Sequence, residues 1–207
     1  MSSTVLLVHG GLWEPMDAEA FWGAPGITAA LTAVGLTVVA PDRPKRPSDW
    51  AVEVEVLGEH LADSTEPVTI IGASNGCTAA ARLALIYPAL VDRLLLAWPA
   101  TAGDAAVDTL TLAGLLGRGC RVDDANRLLA GDTLRGTTDA ELAGLGRVPV
   151  AVLPSLLENP VHQRRTVDAL LKVIPGSREV AGYPEPPRPD FPPYLDQFVR
   201  TIVEFVD

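Results

Sequence analysis

Val68-Thr69-Ile70-Ile71-Gly72-Ala73-Ser74-Asn75-Gly76-Cys77 places an apolar strand directly ahead of a Gly-x-Ser-x-Gly turn. Glycine at 72 and 76 removes the β-carbons that would collide as the chain reverses, so residue 74 can take a positive φ. Ser74 then stands above the sheet edge with its hydroxyl in open space. Thr78 to Tyr87 follows as an alanine-rich helix stopped by Pro88, which supplies the strand–turn–helix setting that a serine nucleophile requires. Taken alone, the five residues also fit a plain βα turn.

Outward from this turn the chain keeps one rhythm. Val5 to Val8, Leu36 to Ala40, Val68 to Ile71, Leu94 to Ala97 and Val148 to Leu153 are short continuous apolar runs, expected of strands covered on both faces. Between them Ile27, Ala30, Leu31 and Val34 recur at helical spacing, as do Trp50, Val54, Leu57 and Leu61. The pattern predicts an α/β fold with a mostly parallel sheet of about six strands and helices on both faces. Asn159-Pro160 reads as an N-cap and first-turn proline of a helix carrying Val167, Leu170, Leu171 and Ile174. A closing helix carries Leu195, Phe198, Val199, Ile202, Val203 and Val206, with a weaker strand at Arg178 to Ala181 completing the last crossover.

Two stretches break the rhythm. Residues 101–146 hold three short leucine-rich helical patterns, with Asp123 as a cap and Thr138-x-x-Glu141 as a capping box. They predict a small lid inserted in a single domain spanning 1–207. Pro184, Pro186, Pro187, Pro189, Pro192 and Pro193 predict a stiff, extended surface loop.

Composition narrows the function. A net charge of −10 without a basic run argues against a nucleic-acid partner. No stretch of eighteen apolar residues exists, and Met1 to Thr4 lead straight into a strand, so the expectation is a cytoplasmic protein with no membrane partner. Cys77 and Cys120 lack metal-type spacing and read as reduced thiols. No phosphate loop and no Gly-x-Gly-x-x-Gly is present, so no cofactor is expected and the partner should be a small-molecule substrate.

The first strand ends Val5-Leu6-Leu7-Val8-His9-Gly10-Gly11, Ala40-Pro41-Asp42 follows the second, and Gly-Ala-Ser-Asn-Gly closes the third. In motif order and spacing, from residue 4 to about residue 100, this resembles the α/β-hydrolase family. The resemblance implies an oxyanion hole built from the backbone N–H groups of Gly11 and Asn75, with His9 ordering its loop by hydrogen bonds. It also implies a catalytic histidine after the last strand, where this chain reads Arg188-Pro189-Asp190-Phe191-Pro192-Pro193. An aspartate accepts a proton poorly at neutral pH and an arginine not at all.

The chain has three histidines. His60 falls midway along a surface helix, which leaves His162, in the first turn of a helix after a strand and so at the same sheet edge as Ser74. The positive end of that helix would keep its ring neutral. Glu158 lies near where the family's acid follows this strand and would orient the ring; Asp104 is a second candidate acid. The competing reading makes Glu158 a helix-end charge and His162 a solvated surface residue. Trp13, Trp98, Leu112, Leu115, Leu116, Leu128 and Leu129 either line an apolar pocket or belong to the core.

The leading expectation is therefore a carboxylesterase-type serine hydrolase acting on a small hydrophobic ester or acyl group, with no Arg or Lys cluster at the site. The alternatives are a ligand-binding accessory module that keeps only the fold, or a non-acylating lyase or cyclase using Asp190 as acid or base.

Overall fold

The computed structural model describes residues 3–207; Met1 and Ser2, part of the N-terminal reading above, lie outside the described residues. Six strands form one parallel sheet: β1 (Thr4–Val8), β2 (Thr37–Val39), β3 (Val68–Ala73), β4 (Val91–Ala97), β5 (Val150–Leu153) and β6 (Arg178–Glu179), in the order β2-β1-β3-β4-β5-β6. The helices are α1 (Ile27–Ala33), α2 (Trp50–Ala62), α3 (Gly76–Ile86), α4 (Ala105–Gly117), α5 (Val122–Leu129), α6 (Asp139–Leu142), α7 (Arg164–Val173) and α8 (Leu195–Val206). Among the described residues no helix is long and apolar enough to cross a membrane.

The continuous apolar runs are explained by two cores, one on each face of the sheet. Leu6, Val8, Ile70, Leu94 and Val152 point to the face covered by α2, α3 and α7. Val5, Leu7, Ile71, Leu95 and Leu153 point to the face covered by α1 and α8. Alternate residues of each strand thus feed opposite layers, as the two-residue period of a strand dictates.

Four expectations change in detail. β3 runs two residues beyond Ile71 because Gly72 and Ala73 stay in register with Leu96 and Ala97. The helix expected at Asn159-Pro160 starts only at Arg164, with Gln163 as its N-cap. The Asn159 side chain instead accepts from the amides of Val161 and His162, closing a separate turn ahead of the helix. The proline loop is not an extended surface strap: successive turns bond Arg188 N to Glu185 O, Phe191 N to Arg188 O and Tyr194 N to Phe191 O. Phe191 anchors it, fully buried against Phe198. Within 101–146, Asp104 rather than Asp123 caps a helix, accepting from Ala106 and Val107, while the Thr138–Glu141 capping box forms as expected.

The elbow is tightly packed. A β-carbon on Gly76 would meet His9 O at 2.5 Å and Val8 O at 2.6 Å, so α3 sits directly against the end of β1. Gly76→Ala is therefore expected to lower the unfolding free energy by about 2–3 kcal/mol in urea denaturation. Gly117→Ala, with nothing within 4 Å of the added atom, should leave stability unchanged or raise it by up to about 1 kcal/mol.

Candidate active site

Ser74 sits at φ 52°, one of four non-glycine residues with positive φ among those described. Its amide donates to Ala97 O at 3.0 Å, which pins the strained residue to the end of β4. Such a conformation costs of order 1–3 kcal/mol and holds the hydroxyl clear of the sheet. Gly10 allows the loop after β1 to close on it, since a β-carbon there would lie 3.1 Å from Ser74 Cβ.

The Ser74 hydroxyl lies 2.9 Å from His162 Nε2. His162 Nδ1 in turn lies 2.7 Å from Glu185 Oε1, approaching off the axis of a straight hydrogen bond. With a carboxylate beside Nδ1, the proton belongs on that nitrogen and Nε2 is left to accept from the serine; the tautomer is assigned from these partners. The turn carrying His162 is clamped from both sides. Thr101 N donates to Val161 O, and the Thr101 hydroxyl accepts from Gln163 N.

Glu185 replaces Glu158 as the acid beside the imidazole. Glu158 accepts from the Arg164 amide and serves the start of α7. Asp104 caps α4 and pairs with Arg165, and Asp190 pairs with Arg188. Because His162 precedes α7 by two residues, its tautomer is set by Glu185 rather than by a helix end. The histidine of this contact chain follows β5 and the carboxylate follows β6.

Glu185 also accepts from Ser155 Oγ at 2.7 Å and Asn159 Nδ2 at 3.1 Å. Burial by itself pushes the carboxyl up, but the His162 and Ser155 contacts outweigh it and bring its pKa down to about 2. The sequence signal for this residue was Pro184-Glu185-Pro186, a carboxylate held between two prolines that are themselves buried. A search of this loop for a histidine passes over it.

The loop after β1, where an oxyanion hole was expected, has its own buried scaffold. His9 Nδ1 donates to Gly10 O at 2.7 Å, and His9 Nε2 accepts from Arg43 N at 3.0 Å. Burial, and then the Arg43 charge, lower the His9 pKa, consistent with this neutral ring. Arg43 Nη1 donates to both His9 O and Gly11 O, while its Nε and Nη2 grip Glu53 at 2.7 and 2.9 Å. Peptide 10–11 is thereby held by His9 at its carbonyl and the peptides on either side of it by Arg43. Among the described residues neither the Gly11 nor the Asn75 amide donates a hydrogen bond.

A cavity of about 340 Å³ opens on Ser74, His162, Gly11 and Asn75, walled by Val107, Leu110, Thr111 and Val161. Its size suits a small organic ligand. Of the two readings of the leucines, core holds for Leu115 and Leu128, which pack with Trp50, and for Leu112 and Leu129 beside them; Leu116 is exposed, and Trp98 is buried beside Phe198. Trp13 bonds Pro47 O and packs against that same small core. Nor is the site free of cations, because Arg118 and Arg135 both reach the cavity.

No family model and no curated protein sequence matches the chain. The fold itself is that of the α/β-hydrolases. The chain is similar to a mutant form of the meta-cleavage product hydrolase CumD of Pseudomonas fluorescens IP01, at 21% identity over 99% of this chain and 90% of that one, TM-score 0.69. It is similar to NosK from Streptomyces actuosus at 24% identity over 99% and 97%, TM-score 0.68. It also resembles a monoacylglycerol lipase of Paleococcus ferrophilus at 19% identity over 98% and 93%, TM-score 0.63.

Glu185 gives a pH test. Its folded pKa lies below the ordinary 4.5, so its stabilisation is fully present above pH 4.5 and is lost as pH falls toward 2. Urea midpoints of the wild type should drop more steeply over that interval than those of Glu185→Gln.

Proposed function

We propose that the protein is a serine hydrolase of carboxylesterase type, cleaving a small ester or acyl substrate through an acyl-enzyme on Ser74. The contact chain from the Ser74 hydroxyl through His162 to Glu185 carries this reading. A serine hydroxyl is a weak nucleophile until a base takes its proton, and this is the arrangement that activates it.

In the first half-reaction Ser74 Oγ bonds to the substrate carbonyl carbon while its proton passes to His162 Nε2. The carbonyl oxygen, now negative, lies against the Gly11 and Asn75 amides, and Glu185 stabilises the imidazolium. Collapse breaks the bond to the leaving alcohol, which takes the proton from His162. Water then repeats the sequence, losing a proton to His162 and releasing the acid with Ser74 restored. Residues 101–146 act as the lid, with α4 forming the acyl-side wall. That wall is apolar at Val107 and Leu110 and polar at Thr111 and Arg118, favouring a short acyl chain that carries some polar function.

A binding module would have no use for the hydroxyl-to-imidazole contact, and Asp190, the acid or base expected for a lyase or cyclase, is engaged with Arg188. Free Cys77 and Cys120 are both buried, which fits a reducing, cytoplasmic setting.

A fluorophosphonate probe should label the wild type and leave Ser74→Ala unlabelled; an unlabelled wild type overturns the proposal. On a p-nitrophenyl ester, His162→Ala should lower kcat/KM by about 10²–10⁴-fold. Glu185→Gln should cost about 10²-fold or more, while Glu158→Gln should stay within about threefold. A larger loss for Glu158→Gln than for Glu185→Gln would assign the acid to Glu158.

A further inference from the structure

Arg135 belongs to neither the elbow nor its base, yet it reaches both the elbow and the cavity wall. It lies in the turn between α5 and α6, closed by an isolated Gly131–Arg135 bridge, and its side chain is 3% exposed. Nη1 donates to Asn75 Oδ1 at 3.0 Å, and Nη2 donates to Asp108 Oδ1 at 3.1 Å and toward Thr111 Oγ1 at 3.4 Å. Asp108 and Thr111 stand on α4, the helix that walls the cavity. One planar guanidinium thus ties the residue after the nucleophile to the acyl-side wall.

We propose that Arg135 is a positioning residue for the oxyanion hole, holding the Asn75 side chain so that its backbone amide faces the developing oxyanion, and coupling that amide to α4. This rests on the serine-hydrolase reading above.

Three observations support it. Arg135 Nε is buried without a hydrogen-bond partner, an arrangement that stability alone does not favour. Burial draws the Arg135 pKa below the usual arginine value despite the opposing hold of Asp108, so the guanidinium is in a place chosen against its solvation. Asn75 makes no side-chain cap to α3; its carboxamide oxygen is engaged by Arg135 instead. Asn75 precedes α3 as its N-cap residue, so a small rotation of its peptide would swing the donor away from the reacting carbonyl. The fork is the reason for arginine: Asn75 and Asp108 are met by two separate nitrogens of one plane, a spacing that a lysine, with all its donors on one nitrogen, does not reproduce.

The test is a double-mutant cycle on p-nitrophenyl butyrate hydrolysis with Arg135→Lys, Asn75→Ala and the double variant. Asn75→Ala keeps the backbone amide and removes only the acceptor of the Arg135 bond. Each single variant should lower kcat about tenfold or more with KM within about threefold, as expected when an interaction acts only in the transition state. The double variant should be no worse than the poorer single one. Affinity for phenylboronic acid, which mimics the tetrahedral adduct on serine, should fall in parallel with kcat/KM.

If Arg135→Lys fails to fold, Asn75→Ala alone decides by the same kcat and boronate readouts. A wild type that reacts with fluorophosphonate while both single variants keep kcat within threefold overturns this inference and leaves the hydrolase reading intact. Fully additive losses would likewise overturn it. A wild type inert to both probe and ester overturns the hydrolase reading, and this inference with it.

Discussion

One imidazole, held between a hydroxyl and a buried carboxylate, is the contact on which the rest of the site depends. His162 comes from the turn after β5, Ser74 from the turn after β3 and Glu185 from the loop after β6. These three ends meet because all six strands are parallel and deliver their C-termini to one edge of the sheet. The partners of the imidazole are themselves restrained. Asn159 bonds the backbone of the His162 turn and the Glu185 carboxylate at once, while Thr101 fastens that turn to the end of β4. Neither loop is free to drift without breaking polar contacts in a largely buried setting, where each lost bond is costly.

The loop after β1 follows the same logic with different chemistry. Arg43 and Glu53 form a bidentate pair beneath the first loop, with side chains 3% and 0% exposed. Burying such a pair is weak evidence for added stability, because desolvation offsets much of the attraction. What the pair supplies is direction: two carbonyls of the loop accept from one guanidinium nitrogen, and His9 holds the third. Gly11 itself lines the cavity, and its amide donates no hydrogen bond among the described residues. Preorganised donors of this kind are effective since they need no reordering as negative charge appears.

How much was legible in the sequence depends on the range of the interaction. The elbow, the strands and the two-faced core follow from local pattern: Gly72 and Gly76 around Ser74, and apolar runs such as Leu94 to Ala97. The imidazole beside Ser74 was legible too, since His60 falls within a helix and the His-Gly pair assigns His9 to ordering its own loop, which leaves His162. The carboxylate beside it was not, because the two that the strand order offered, Glu158 and Asp104, are engaged at helix starts. Glu185 lies 23 residues beyond His162 by their numbering and reaches it only when the loop after β6 folds back beside β5, through the Ser155–Tyr183 bridge. Arg135 was hidden for a similar reason. An isolated arginine in a polar turn reads as surface until the fold places Asn75 and Asp108 around it.

The pairing of His162 with Glu185 rather than Glu158 is the central claim, and proton NMR of the imidazole tests it most directly. With Glu185 as partner, the wild type should show a far-downfield Nδ1 proton that disappears in His162→Ala, moves markedly upfield in Glu185→Gln, and is untouched in Glu158→Gln. A resonance that instead responds to Glu158→Gln and ignores Glu185→Gln would contradict the account.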